Sequence, residues 1–323
     1  VHFHGCMGRD FSDAEPEGLE IMAQYELSRG VTQICPAGMT LTEEQLTKIC
    51  QVAAAHRAAD KPGAALCGIN LEGPFLCQKY KGAMPPELLR EGDASLFRRY
   101  QRKAQGRVRY MTVAPEVPGV LDMLEDLRGE CVMAMGHSDA DYETAREAIR
   151  RGVCSCTHTF NVMSLFHHHH PAVMGAVLEK PVYCEAICDG RHLHPGTVRL
   201  YLKAKGYDRV IAVTDSIMAA GLPDGNYKLG VNDVIVEDGD AKLPNGVRAG
   251  STLTMAQALR NLMAFTGEGA ETVSRLMTAN PARLMGWAGK GELDVGKDAD
   301  LVLLDGDYQV ARTVVGGRTV YTR

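Results

Sequence analysis

Aromatic side chains are scarce in this chain, with one Trp, seven Phe and eleven Tyr among 323 residues. Few stacking rings and a formal net charge of −5 speak against a nucleic-acid partner, which needs a basic face and aromatic platforms. No apolar run approaches the roughly 20 residues that cross a bilayer, so no membrane role is expected. The ten cysteines include no Cys-x-x-Cys pair, which removes the usual zinc-thiolate and redox spacings. Cys6, Cys35, Cys67, Cys131, Cys154, Cys156, Cys184 and Cys188 lie on or beside predicted strands. They read as buried thiols of a reduced, cytoplasmic protein. Low complexity is confined to His167, His168, His169 and His170. A starting Met is also lacking: the chain opens Val1-His2-Phe3-His4, as if in mid-strand, and a preceding segment is expected.

What the chain does contain is clearest at residues 135–163. Two short apolar runs, 131–135 and 153–156, each lead into a histidine, His137 and His158. Between them, 141–151 has a helical period closed by Gly152, which makes a β-α-β unit. In parallel α/β folds, ligands gather beyond the C-terminal ends of the strands. A right-handed crossover then sets the two imidazoles on neighbouring strands, where they can share a metal ion. Two unrelated turn histidines are the plain alternative.

The same alternation runs through the chain. Strands are predicted to begin near His2, Val31, Ala65, Val108, Cys131, Val153, Val182 and Val210, and helices over 17–29, 42–59, 95–105, 120–128, 141–151 and 197–204. Eight such repeats are the pattern of a (β/α)8 TIM-type barrel. His2, His4, Glu72, His137, His158, His192 and Asp215 all fall at strand ends, where that fold keeps its chemistry. His-x-His on a strand sends both rings to one face, although a frayed terminus is the bland reading of His2 and His4. After Asp215 the pattern changes to short strands over about 226–250, helices over 253–265 and 272–278, and a β-rich tail. The expected organisation is a barrel over 1–285 carrying that β insertion, then strands over 286–323. Those last strands are expected to belong to an incomplete small β-sandwich, with the partner segment expected before Val1.

Taken in order, His2-Phe3-His4, Leu71-Glu72-Gly73-Pro74-Phe75, Gly136-His137-Ser138, Thr157-His158-Thr159-Phe160-Asn161-Val162-Met163, Asp189-Gly190-Arg191-His192, Val213-Thr214-Asp215 and Asn280-Pro281-Ala282-Arg283 resemble the amidohydrolase superfamily. Within it they are similar to the branch of N-acetylglucosamine-6-phosphate deacetylases. The resemblance implies hydrolysis of the N-acetyl group of a small amino-sugar substrate, by a cytoplasmic homodimer. It implies a divalent metal, zinc first with iron, manganese or cobalt as alternatives, held by Glu72, His137 and His158. His2 and His4 would hold a second ion bridged by Glu72. Asp215 would be the general base, which a helix cap could mimic. His192 would polarise the acetyl carbonyl. Asn161 and Val162 would meet the sugar phosphate.

Three positions depart from that family pattern, all toward the phosphate. His169 stands where the family has an Arg, and an imidazole lacks the guanidinium fork. In the loop that the family contributes from the partner subunit, Gly82-Ala83-Met84 has a thioether in place of a phosphate donor. Arg248 precedes Ala249-Gly250 where a Leu is usual; it either restores a cation or faces solvent. The rival readings are an amidohydrolase of an unphosphorylated or different N-acyl amine, and a non-catalytic relative.

Overall fold

The structure is a computed structural model that describes residues 1–56 and 62–323. Seven strands form one all-parallel sheet in sequence order: β1 (Ala37–Gly38), β2 (Ile69–Glu72), β3 (Val108–Val113), β4 (Val132–Met135), β5 (Val153–Cys156), β6 (Tyr183–Ile187) and β7 (Val210–Val213). Their runs are almost wholly buried, as expected of parallel strands covered by helices.

The stave expected at His2 is not a regular strand. Residues 1–5 nonetheless lie between β7 and β1. Asp215 N donates to His2 O at 3.2 Å, His4 N to Ser216 O at 2.7 Å, and Ala37 N to Phe3 O at 2.7 Å. The segment cannot run on straight because Gly5–Cys6 folds back onto Arg9–Asp10. A Cβ at Gly5 would stand 2.1 Å from Arg9 O, so only glycine fits. The strand expected from Val31 is likewise split, into Gln33–Ile34 and β1. Pro36 lies between and has no N–H for the ladder.

Helices begin where short polar side chains satisfy the free N–H groups of the first turn. Thr42 and Gln45 make a capping box for Glu43–Ala55, Asp93 caps Ala94–Lys103 and Asp141 caps Tyr142–Arg150. The first of these was expected to reach 59; residues 57–59 lie outside the described residues. Expected 272–278 is instead the short helix Ala270–Val273 with a 3-10 turn, Ser274–Leu276. Two helices, Ala172–Glu179 and Ala279–Met285, were not anticipated. The first is apolar on nearly every side and so carries no amphipathic period.

Two antiparallel three-stranded sheets complete the chain. One is Gly225–Leu229, Asn232–Glu237 and Asp240–Lys242; the other is Leu301–Leu304, Val310–Val315 and Arg318–Thr322. The second docks on the helix Pro16–Ser28, where Thr313 Oγ1 donates to Leu27 O at 2.9 Å. Among the described residues no helix is long and apolar enough to cross a membrane.

Candidate metal centre

Six acidic or imidazole side chains meet where β2, β4, β5, β7 and residues 1–5 end. They are His2, His4, Glu72, His137, His158 and Asp215, none more than 7% exposed. Glu72 Oε1 is 3.1 Å from His137 Nε2 and 3.1 Å from His158 Nε2, and the two nitrogens are 3.1 Å apart. The second trio is looser. Asp215 Oδ1 lies 3.1 Å from His4 Nε2 and 3.5 Å from His2 Nε2. Glu72 stands between the groups, with Oε2 3.3 Å from His4 Nε2 and Oε1 3.6 Å from His2 Nε2.

Every ring turns Nε2 inward. His4 and His137 are held from behind by the backbone carbonyls of Ala37 and Tyr80, at 3.1 and 2.9 Å. His137, His158 and Asp215 adopt φ values of 50°, 26° and 48°, a left-handed conformation that non-glycine residues avoid. Strain of this kind persists where surrounding structure imposes it, often at functional sites.

The electrostatics are those of a closely packed charge cluster. Burial works against ionising Glu72, but hydrogen bonds from His137, His158 and His4 hold its carboxyl well below the usual range. Burial likewise opposes Asp215, yet His4 and His2 bring it to about 2. Burial would lower His4, and its bonds to Asp215 and Glu72 raise it well above its ordinary value instead. Burial would lower His158 too, and Glu72 carries it to about 9. Two atoms at the middle of the cluster, His2 Nε2 and Asp215 Oδ1, are buried and make no hydrogen bond of good geometry among the described residues, so that the 3.1 and 3.5 Å approaches of His4 and His2 to Asp215 are charge contacts. Orphaned buried polar atoms are costly, and a cation between the trios would satisfy both. The residues therefore fit one or two divalent ions: imidazole and carboxylate donors in two groups of three, with a shared carboxylate.

The substrate-facing candidates are placed around this cluster. Val162, with φ 52°, and His137 both approach Gly82, where a Cβ would meet Val162 Cγ1 and His137 Cε1 at 3.3 Å. The loop 82–84 thus lies against the chain's own site. Met84 is corrected. It points inward, 2% exposed, into an apolar cluster with Met39, Leu76, Ile217 and Leu229, where its sulfur accepts from Thr40 N at 3.4 Å. Ala83 O accepts from Asn232 Nδ2 at 2.8 Å. Asn161 Nδ2 donates to His158 O at 3.2 Å.

Gly250 packs behind Asp215. A Cβ there would stand 2.8 Å from Asp215 O and 2.4 Å from Ile217 Cγ2, and Ala249 beside it is buried. His192 Nδ1 is 2.6 Å from Asp189 Oδ2. Arg248 does not supply a free cation. Its guanidinium grips Asp240 at 2.8 and 3.1 Å and donates to Arg191 O at 3.1 Å. His169 stays outside the cluster, exposed on a tight turn in which His167 and His170 pair. With His167 and His170 it lines a cavity of about 630 Å³ that also takes in Tyr80, Asp139 and Tyr142.

Three side chains were missed from the sequence. Glu185 reaches His2 Nδ1 at 2.8 Å; a lone carboxylate inside an apolar strand was the available signal. Asp189 orients His192, and its place in Asp-Gly-x-His could have suggested this. Lys81 has no carboxylate partner among the described residues. Its Nζ lies 3.4 Å from Gly82 O and 3.3 Å from Met84 O, and nothing in its local pattern marks it.

Residues 1–320 match the amidohydrolase family. The chain is 36% identical over 327 residues to the N-acetylglucosamine-6-phosphate deacetylase of Bacillus subtilis (strain 168), covering 99% of this chain and 83% of that protein. It is 33% identical over 321 residues to the N-acetylgalactosamine-6-phosphate deacetylase of Escherichia coli O157:H7, covering 98% and 85%. Among solved structures, a mutant N-acetyl-D-glucosamine-6-phosphate deacetylase from Mycobacterium smegmatis, in complex with N-acetyl-D-glucosamine-6-phosphate, matches with a TM-score of 0.94 and 33% identity. That match covers 99% of this chain and 85% of the other.

Proposed function

This chain belongs to the amidohydrolase family, and on that footing we propose that it hydrolyses the N-acetyl group of N-acetylglucosamine 6-phosphate, giving glucosamine 6-phosphate and acetate. The observation that carries the reading is the convergence of six ligand-type side chains about Glu72, in a chain similar end to end to deacetylases of amino-sugar phosphates. The enzyme uses a divalent metal. Zinc is the ion we propose, on a donor set of imidazoles and carboxylates. When bound, such an ion supplies Lewis-acid chemistry, polarising an amide carbonyl and acidifying water.

The chain's own residues do the rest. Asp215, held ionised by His4 and His2, takes a proton from the attacking water and later delivers it to the leaving amine nitrogen. His192 gives its Nδ1–H to Asp189, which leaves Nε2–H, when the ring is protonated, to donate to the acetyl oxygen. Asn161, Val162 and the loop 82–84 border the sugar. Loop 248–250 backs Asp215. The phosphate lies toward Lys81 and His169, and Lys81 supplies the cation that Arg248 does not. Ten free thiols support a reducing, cytoplasmic setting. The exposed Leu165 and Phe166, beside the site, support a homodimer, which light scattering tests directly.

The test of the reaction is direct. Protein stripped of metal and reloaded should release acetate and a primary amine in equal amounts from N-acetylglucosamine 6-phosphate. No release from either the gluco or the galacto sugar phosphate would sink the proposal.

A further inference from the structure

We propose that Glu185 is the positioning residue that readies His2 for an ion at the His2–His4–Asp215 group, and so decides whether the centre takes one ion or two. The inference rests on the reading of the cluster as a metal centre. Glu185 is on β6, inside the barrel, fully buried. Its Oε2 accepts from His2 Nδ1 at 2.8 Å and from the backbone N–H of His158 at 3.0 Å. It therefore touches one ligand-type residue from each trio without facing either site itself.

An ionised carboxylate accepts hydrogen bonds and donates none. Beside Nδ1 it holds a proton on that nitrogen and leaves Nε2, which faces Glu72 Oε1 and Asp215 Oδ1, as the ring atom available to an ion. His2 is the one ring of the four with such a partner. His4 and His137 have backbone carbonyls, and His158 Nδ1 has no partner among the described residues. A carboxylate behind an imidazole makes it a more basic and better oriented ligand than a carbonyl does. His2 also needs the help more. Residues 1–4 belong to no ladder, and the looser trio has the 3.5 Å gap between His2 and Asp215.

Burying this carboxylate is costly, and only Oε2 is paired: Oε1 is buried with no hydrogen-bond partner among the described residues. Packing alone would accept an apolar residue on a strand flanked by Cys184 and Ala186, both buried. A purely structural Glu185 would affect folding and both ions alike. A positioning Glu185 affects the second ion far more than the first, through His2, because its contact with His158 is to the backbone N–H, which a glutamine oxygen can also accept from.

The experiment titrates the full metal-free chain with Zn²⁺ by calorimetry, repeated with Co²⁺ to read each site's absorption spectrum. The wild type should take two ions. Glu185→Gln should keep the first and bind the second 10–100-fold more weakly, the range for loss of a ligand's hydrogen-bond partner. In a His2→Ala background the same substitution should change nothing further. Should Glu185→Gln not fold, Glu185→Asp withdraws the carboxylate by one methylene and reads the same difference. Uptake of a single ion by the wild type overturns the inference and leaves the metal centre standing, as does a second ion unaffected by either substitution. No uptake at all means that the underlying reading has failed.

Discussion

At one end of the site, six side chains with almost no exposure face one another at 3.1–3.6 Å, three of them on left-handed backbone. At the other end, His169 sits on an exposed turn, Arg248 spends its charge on Asp240, Met84 is turned into apolar packing, and Lys81 lies over its own loop. The first end is desolvated, so each charge depends on the next and none can be removed cheaply. At the second end His169 and Arg248 are exposed, so their contacts are individually replaceable. Substitutions should therefore act in an all-or-none way at the metal end and in a graded way at the phosphate end.

The sharpest break would come from Glu72→Gln. It takes the shared carboxylate from both trios and leaves buried imidazoles without their counter-charge, so metal content and turnover should be lost together. Plasma emission spectrometry on the purified variant decides; retained metal with normal turnover would end the two-trio picture. Asp215→Asn comes next. Turnover should fall by about 10²–10⁴-fold, the usual worth of a general base, while the Glu72–His137–His158 trio still takes up an ion.

The phosphate end gives smaller numbers. Lys81→Met should lower kcat/KM for N-acetylglucosamine 6-phosphate about tenfold, the loss of one charge-assisted hydrogen bond. The unphosphorylated sugar should be unaffected. An equal fall for both sugars would mean that Lys81 only shapes its loop. Smallest of all, Arg248→Ala should change the ratio of the two kcat/KM values by less than about threefold, because its guanidinium is committed to both oxygens of Asp240 and leaves little charge for a ligand. A large selective loss of the phosphorylated substrate would show that Arg248 leaves Asp240 when substrate binds.

The two ends were also unequally legible. His137 and His158 could be placed because a strand of four residues ends in a predictable direction, and a helix closed by Gly152 spaces two such ends. Glu72 and Asp215 followed from the same logic. Arg248 was harder. Its partner is eight residues away, across a turn, and whether an arginine meets that partner or a ligand depends on loop geometry that carries no period. The approach of the loop 82–84 to His137 of its own chain was hidden for the same reason.

Residue order by itself determined the alternation of strand and helix, the run of parallel staves and the identity of the ligand-type residues, because apolar periodicity and caps act within a few residues. Only the tertiary structure decided three things. An irregular segment takes the eighth stave, since the hairpin at Gly5 stops it from pairing as a strand. Glu185 lies behind His2 although 183 residues separate them, because barrel closure brings β6 and residues 1–5 to one interior. Arg248 is spent on Asp240 and Lys81 on the carbonyls of Gly82 and Met84, because a charge on a loop pairs with whatever the fold sets beside it.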